Sequence, residues 1–269
     1  MSKNIFEFVC SLKTIKDVII HANKIIKIME RSFDIDQICK ISVNDDVSNQ
    51  NNSESYEPKH VISGSKAVTT FLELLREAQK KALTDGVKGC GPFLKLADHY
   101  KASDTDIFFL DCKEISRIKY ENIDIIHLQI PNIKQHLDNF DLSCCKTSMN
   151  MEGTTFWVSL HCLYTMLTGN CFIPKYYESP DKYRSVYNKA NGISPKEGFK
   201  LFLESKNNKI DKCDLMFTRT KERIEKYKER GYTFQYIQTE IALPCIYSNY
   251  MNSYVGTDEC LPCIIPNLT

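Results

Sequence analysis

Neither sign of charge predominates in this sequence. Its 35 Lys and Arg residues stand against 34 Asp and Glu residues, so the net charge is close to zero. A chain without net charge has no strong overall field that would draw it to nucleic acid or to an anionic membrane. Any basic surface must therefore be local.

The sequence also lacks a long apolar run. No stretch reaches the roughly 18 uncharged apolar residues that cross a bilayer, and the N-terminal residues do not include the apolar segment of a signal peptide. No internal repeat is evident either. We therefore expect a soluble protein that makes no contact with a membrane and works in the cytoplasm or another intracellular compartment.

Cysteine, in contrast, is abundant, with 12 residues. Such a number suits a small secreted disulfide scaffold, but a chain of 269 residues is not small. Most cysteines stand singly among apolar residues, which is typical of reduced thiols in a core; examples are Cys10, Cys112, Cys162 and Cys171. Cys260 and Cys263 have the spacing of half a zinc site, but no second pair has matching spacing, so zinc is not favoured.

Composition divides the chain into four segments. Residues 1–43 are expected to form an N-terminal helical extension, because residues 13–30 carry an apolar stripe of helical period. Residues 44–59 are polar with almost no apolar side chain, which is typical of a linker. Residues 60–170 form the expected core, and residues 171–269 a mostly helical C-terminal region.

Strands and helices alternate in the expected core, which predicts an α/β (α+β) fold with a mixed sheet flanked by helices. The expected strands are 60–63, 107–110 (buried on both faces), 124–130 and 141–147, and the expected helices are 65–85, 133–140 and 155–168. Beyond the core, residues 174–213 read as polar and irregular, with a possible helix at 195–205. Residues 218–230 predict a charged helix.

Two short motifs in the core point to chemistry. Gly64 and Ser65 follow a strand and open a helix, where free N–H groups favour an anion such as a phosphate. Asp104 and Asp106 stand two residues apart at the head of a strand, so both carboxylates can face one side and share one metal ion. Carboxylates for Mg²⁺ next to a phosphate site are the minimal equipment for nucleotidyl transfer.

A two-metal site needs a third carboxylate. Asp141 is the best candidate, because it begins an expected strand whose head can lie at the same end of the sheet as Asp106. Asp111 and Asp124 are alternatives. The plain reading of Asp104 and Asp106 is a polar turn before a strand.

The order of these motifs resembles the nucleotidyltransferase superfamily of the polymerase-beta type. More narrowly, Asn139-Phe-Asp-Leu-Ser-Cys-Cys-Lys146, a helix that closes at Thr168-Gly169, and Arg223-Ile-Glu-Lys-Tyr-Lys-Glu-Arg-Gly-Tyr232 resemble nucleotidyltransferase-like proteins of large DNA viruses and phages. The likeness covers about residues 60–235. The gap between the Gly-Ser motif and the aspartate pair is longer than the resemblance leads us to expect, and residues 170–216 resemble an insertion.

The resemblance implies a function and a set of site residues. Asp104, Asp106 and Asp141 would be the catalytic carboxylates that bind Mg²⁺ or Mn²⁺, and Gly64 and Ser65 would contact the triphosphate. The enzyme would move a nucleoside monophosphate from a nucleoside triphosphate such as ATP to an acceptor hydroxyl and release pyrophosphate. The acceptor, whether a nucleic-acid end, a protein or a small molecule, is left open.

The charged helix supports two readings. Its charges form i,i+4 pairs that suit a solvated face. Alternatively, Arg223 and Lys226 turn toward the cleft and bind phosphate. Two non-enzymatic functions also stay open: a nucleotide-binding or protein-interaction module that retains the fold, and a structural accessory whose aspartates are surface turns.

Overall fold

The computed structural model describes residues 3–33, 36–43, 58–86, 104–190 and 212–237. The helices are α1 (Lys3–Ser11), α2 (Ile15–Ile20), α3 (Ala22–Arg31), α4 (Ser65–Thr84), α5 (Ile133–Asp138), α6 (Leu160–Thr168), α7 (Pro180–Ala190) and α8 (Lys212–Glu229). The strands are β1 (Ile38–Ser42), β2 (His60–Ser63), β3 (Thr105–Phe109), β4 (Ser116–Tyr120), β5 (Ile123–His127), β6 (Thr147–Met149), β7 (Thr155–Ser159), β8 (Asn170–Pro174) and β9 (Thr233–Ile237). Two short 3₁₀ helices span Ser143–Cys145 and Lys175–Glu178.

Seven strands form one mixed sheet in the order β1-β7-β6-β2-β3-β5-β4. All neighbours run antiparallel except β3 and β5, which are parallel. Strands β8 and β9 form a separate parallel pair. The expected mixed α/β fold, with a mixed sheet flanked by helices, is confirmed. The linker 44–59 lies almost entirely outside the described residues, as do the possible helix at 195–205 and Cys260 with Cys263.

Apolar periodicity explains the main helix of the core. In α4, the buried positions Ala67, Val68, Phe71, Leu72 and Leu75 recur on one side of the helix. They pack into a large core that also includes residues of α2, α3 and α6. A smaller core of eight buried residues lies around α5 and includes Val61, Leu137 and Trp157.

The N-terminal segment supplies part of the large sheet in addition to its helices. Strand β1 pairs along its whole length with β7 and forms one edge of that sheet. Helix α2 begins with a capping box, in which Thr14 Oγ1 accepts from the Asp17 N–H and Asp17 Oδ2 accepts from the Thr14 N–H.

Two expected elements of the core were wrong in type. A strand does not run from residue 141: the chain forms the 3₁₀ helix Ser143–Cys145, and β6 begins only at Thr147. The three turn residues are all buried, which fits a turn enclosed by packing rather than a strand that alternates between two faces. The expected helix over 155–168 begins as β7, because its aromatic and β-branched residues pair with β1 and β6.

Several smaller expectations also fail. Strand β3 is half-exposed along its length rather than buried on both faces. The charged helix expected at 218–230 is α8, which begins earlier, at Lys212. Helix α7 lies within residues 174–213, which were expected to be irregular. Among the cysteines that read as core residues, Cys162 and Cys171 are buried, whereas Cys10 is exposed and Cys112 is half-buried.

Candidate functional site

The Gly-Ser motif forms the turn that joins β2 to α4. Gly64 has φ 72° and ψ −142°, a conformation that residues with a side chain rarely adopt. A Cβ at this position would lie 3.7 Å from Asp106 Oδ2. Because Gly64 is also the N-cap of α4, no side chain at that position satisfies the first N–H groups of the helix. The turn therefore places the start of α4 close to a carboxylate.

Antiparallel pairing brings Asp106 to this turn. Ser63, the last residue of β2, is the register partner of Asp106 in β3. Asp104 immediately precedes β3 and is exposed, whereas Asp106 is half-buried. The two carboxylates interact electrostatically, since Asp104 contributes to the raised pKa of Asp106. The pairing therefore brings Asp106 next to the Gly-Ser turn.

A third carboxylate stands directly beside Asp106. Strands β3 and β5 are parallel, and Asp106 and Asp124 are register partners, so their side chains point to the same face of the sheet. Arg117 of the neighbouring strand β4 binds both oxygens of Asp124, with Nε 3.1 Å from Oδ1 and Nη2 in contact with Oδ2. Sequence reasoning named Asp124 only as an alternative and missed Arg117.

The surroundings shift the acidity of Asp106. Its pKa is raised to about 6, chiefly by burial and also by the negative charges of Asp124 and Asp104, while Arg117 and Arg223 act in the opposite direction. Like charges close together disfavour the ionised form, and a cation placed among them would restore it. The site is thus a place where negative charge is concentrated.

Asp141 lies in a different environment from the one expected. Its carboxylate is nearly buried and bound by α8: Arg223 Nη1 is 2.7 Å from Oδ1, and Thr220 Oγ1 donates to Oδ2 at 2.7 Å. Arg223 also contacts the Cys145 thiol at 3.6 Å. Lys226 is exposed. Of the two basic residues predicted to bind phosphate, Arg223 is therefore the one that faces Asp141.

The donors present decide how well this site fits a metal ion. Across residues 3–33, 36–43, 58–86, 104–190 and 212–237, no group of three or more His, Cys, Asp or Glu side chains is arranged to hold a metal. Asp124 is engaged by Arg117 and Asp141 by Arg223. Asp104 and Asp106, in contrast, form no ion pair with another described residue.

Similarity to known proteins does not identify this site. No protein family, curated protein or solved structure matches the chain. None of the described helices is both long and apolar enough to span a bilayer.

Proposed function

We propose that this protein is a Mg²⁺-dependent nucleotidyltransferase of the polymerase-beta type. It would transfer a nucleoside monophosphate from a nucleoside triphosphate to an acceptor hydroxyl and release pyrophosphate. The observation that carries the proposal is the 3.7 Å approach between the Cβ position of Gly64 and Asp106 Oδ2. That approach supports the proposal because it would bring a bound phosphate and a bound cation together at one end of the sheet.

Each residue has a defined role in this proposal. Gly64 keeps the space above Asp106 open, and the N–H groups at the start of α4, from Ser65 onward, bind phosphate oxygens. Asp104 and Asp106 bind Mg²⁺ or Mn²⁺, and Arg223, whose charge acts on Asp106, contributes positive charge. The cation would neutralise charge that develops on the transferred phosphate and lower the pKa of the attacking hydroxyl.

The third carboxylate has two candidates. Asp141, the sequence-based choice, is held by Arg223 and Thr220. Asp124 lies in register beside Asp106 on the same face of the sheet. This geometry favours Asp124 as the third metal ligand and gives Asp141 the role of positioning Arg223. Asp124→Asn and Asp141→Asn can separate the two roles, because only loss of a metal ligand weakens Mn²⁺ binding directly.

The test is incubation with each α-labelled nucleoside triphosphate and Mg²⁺ or Mn²⁺, with detection of pyrophosphate and of label on protein, RNA or small-molecule acceptors. Wild type should release pyrophosphate, and the double variant Asp104→Ala plus Asp106→Ala should not. Asp181→Asn is a matched control, since its carboxylate is 96% exposed and belongs to α7. Pyrophosphate release that survives the double change would refute the mechanism.

A non-enzymatic function is the second candidate. The observation in its favour is that Asp124 and Asp141 are both paired with arginines, which leaves two carboxylates for a cation. Such a protein would bind a nucleoside triphosphate, or a protein partner, without turnover. Triphosphate binding by calorimetry together with no pyrophosphate release under any condition would support it.

A further inference from the structure

Three buried polar side chains form a hydrogen-bonded chain beneath the Gly-Ser turn. His136 Nε2 lies 2.9 Å from Ser63 Oγ, and Ser63 Oγ lies 2.6 Å from Ser148 Oγ. Ser63 and Ser148 are register partners in β2 and β6, and His136 reaches Ser63 from α5. Ser63 and Ser148 are 0% exposed and His136 is 2% exposed. Water therefore cannot replace these contacts.

Apolar surroundings make the chain costly to break. The ring of His136 lies 4.5 Å from that of Phe108 and 5.3 Å from that of Phe140. This burial lowers the pKa of His136 to about 3, so the imidazole is neutral near pH 7. A neutral imidazole can donate or accept a hydrogen bond, and so can each hydroxyl. A buried polar group that loses its partner destabilises the fold.

The chain contacts the backbone that leads into the turn. Ser63 is the last residue of β2 and the register partner of Asp106. The next residue, Gly64, donates its N–H to the Thr147 carbonyl at 3.2 Å, and Thr147 directly precedes Ser148. Because Gly64 has no side chain with which to fix itself, the orientation of the turn depends on the strand ends that precede and flank it.

We infer that the hydrogen-bonded chain His136–Ser63–Ser148 is a positioning device that fixes the Gly64–Ser65 turn against Asp106 for phosphate binding. The claim that this chain promotes phosphate binding rests on the proposed function. The claim that it fixes the position of the turn does not. A phosphate site made of backbone N–H groups works only when those groups are held in place before the ligand arrives. Here strand pairing supplies the coarse position, and the buried chain fixes the end of β2.

Hydrogen exchange at two amides tests the hold on the turn. The Gly64 N–H is bonded to Thr147 O, and the Val68 N–H is bonded to Gly64 O at 3.0 Å. In the ligand-free protein, Ser63→Ala and His136→Phe should speed exchange at both amides by about tenfold, as expected for loss of one buried hydrogen bond. His136→Gln keeps a side-chain nitrogen that can reach Ser63 and should restore protection to within about twofold of wild type.

Ser159→Ala is the matched control. Ser159 is also 0% exposed at the end of a strand, and its Oγ accepts from the Cys162 N–H at 3.0 Å. This change should speed exchange at Cys162 and leave Gly64 and Val68 unchanged. The inference is overturned if Ser63→Ala and His136→Phe speed hydrogen exchange at the Gly64 and Val68 amides no more than Ser159→Ala does. If His136→Phe does not fold, Ser148→Ala provides the same comparison at the other end of the chain.

Calorimetric binding of ATP with Mg²⁺ separates this inference from the proposed function. If wild type binds, His136→Phe should weaken binding about tenfold and His136→Gln should restore it, in line with the loss of one hydrogen bond. Unchanged affinity in His136→Phe overturns the phosphate role. If wild type binds no triphosphate, the proposed function fails, and the exchange rates alone then decide whether the chain holds the turn.

Discussion

Replacement of Asp106 by asparagine should stabilise the protein at neutral pH while it removes the proposed metal ligand. The pKa of Asp106 in the folded protein is raised from 3.8 to about 6. Between these values the folded state holds a proton that the unfolded chain has lost, so this residue's contribution to stability declines as the pH rises. A displacement of about two units corresponds to about 3 kcal/mol, at about 1.36 kcal/mol per unit.

The comparison must be made between variant and wild type rather than along one pH profile. The pKa of His136 is lowered to about 3, so its contribution has the opposite sign and increases as the pH rises toward the ordinary value of 6.5. Between about pH 4 and pH 6 the two effects largely cancel in wild type. Asp106→Asn removes only one of them.

Urea unfolding provides the measurement, with the single tryptophan, Trp157, as a buried fluorescent reporter. At pH 7.5 Asp106→Asn should be more stable than wild type by up to about 3 kcal/mol, and at pH 4 the difference should fall toward zero. Asp181→Asn, a substitution at an exposed carboxylate, should show no such trend. A stability difference that does not change with pH, or an Asp106→Asn variant less stable than wild type at pH 7.5, would refute the electrostatic account of the site.

Three further predictions concern other buried groups. Lys146→Met should lower the free energy of unfolding in a urea titration by about 3–5 kcal/mol, because it leaves the buried Asp36 carboxylate with only His161 beside it. The double variant that also carries Asp36→Asn should recover most of the loss. Gly64→Ala should cost about 1–3 kcal/mol through its positive φ and should also weaken Mg²⁺-ATP binding in calorimetry; strain without any effect on binding would count against the phosphate role of the turn. Wild type should lose stability relative to His136→Gln as the pH falls from about 6.5 toward 3 in acid unfolding, because the buried imidazole resists protonation; parallel curves would contradict this.

Local patterns in the sequence predicted the helices and strands around the site, because the limits of each element are set by residues within it or next to it. The apolar stripe of α4 has a helical period, and the helix begins at Ser65 and ends at Thr84, close to the expected limits. Strand β2 has the expected bounds. Helix α6 ends, as expected, at Thr168, where Gly169 adopts a left-handed conformation that closes helices readily.

Contacts between distant strands could not be predicted in the same way. The position of Asp124 beside Asp106 follows from the parallel pairing of β3 and β5, and periodicity does not specify which strands pair. Strand β4 carries Arg117 and lies at an edge of the sheet, where none of its residues is buried, so no apolar run marks it in the sequence. The expectation that Asp141 begins a strand was wrong. The residues that follow it form a buried 3₁₀ turn, and sequence periodicity did not distinguish that turn from a strand.

The four aspartates differ in whether an arginine binds them. Arg117 binds Asp124 and Arg223 binds Asp141, whereas Asp106 forms no ion pair with another described residue. Both arginines nonetheless act on Asp106 through space, and its pKa is still raised to about 6. Burial is the largest cause of this shift, and the two arginines do not offset burial and the neighbouring carboxylates together. A divalent cation at Asp104 and Asp106 would supply the missing charge, and Arg117 would be its competitor for Asp124. For this reason Asp106, rather than either arginine-bound aspartate, is the residue on which cation binding should depend most.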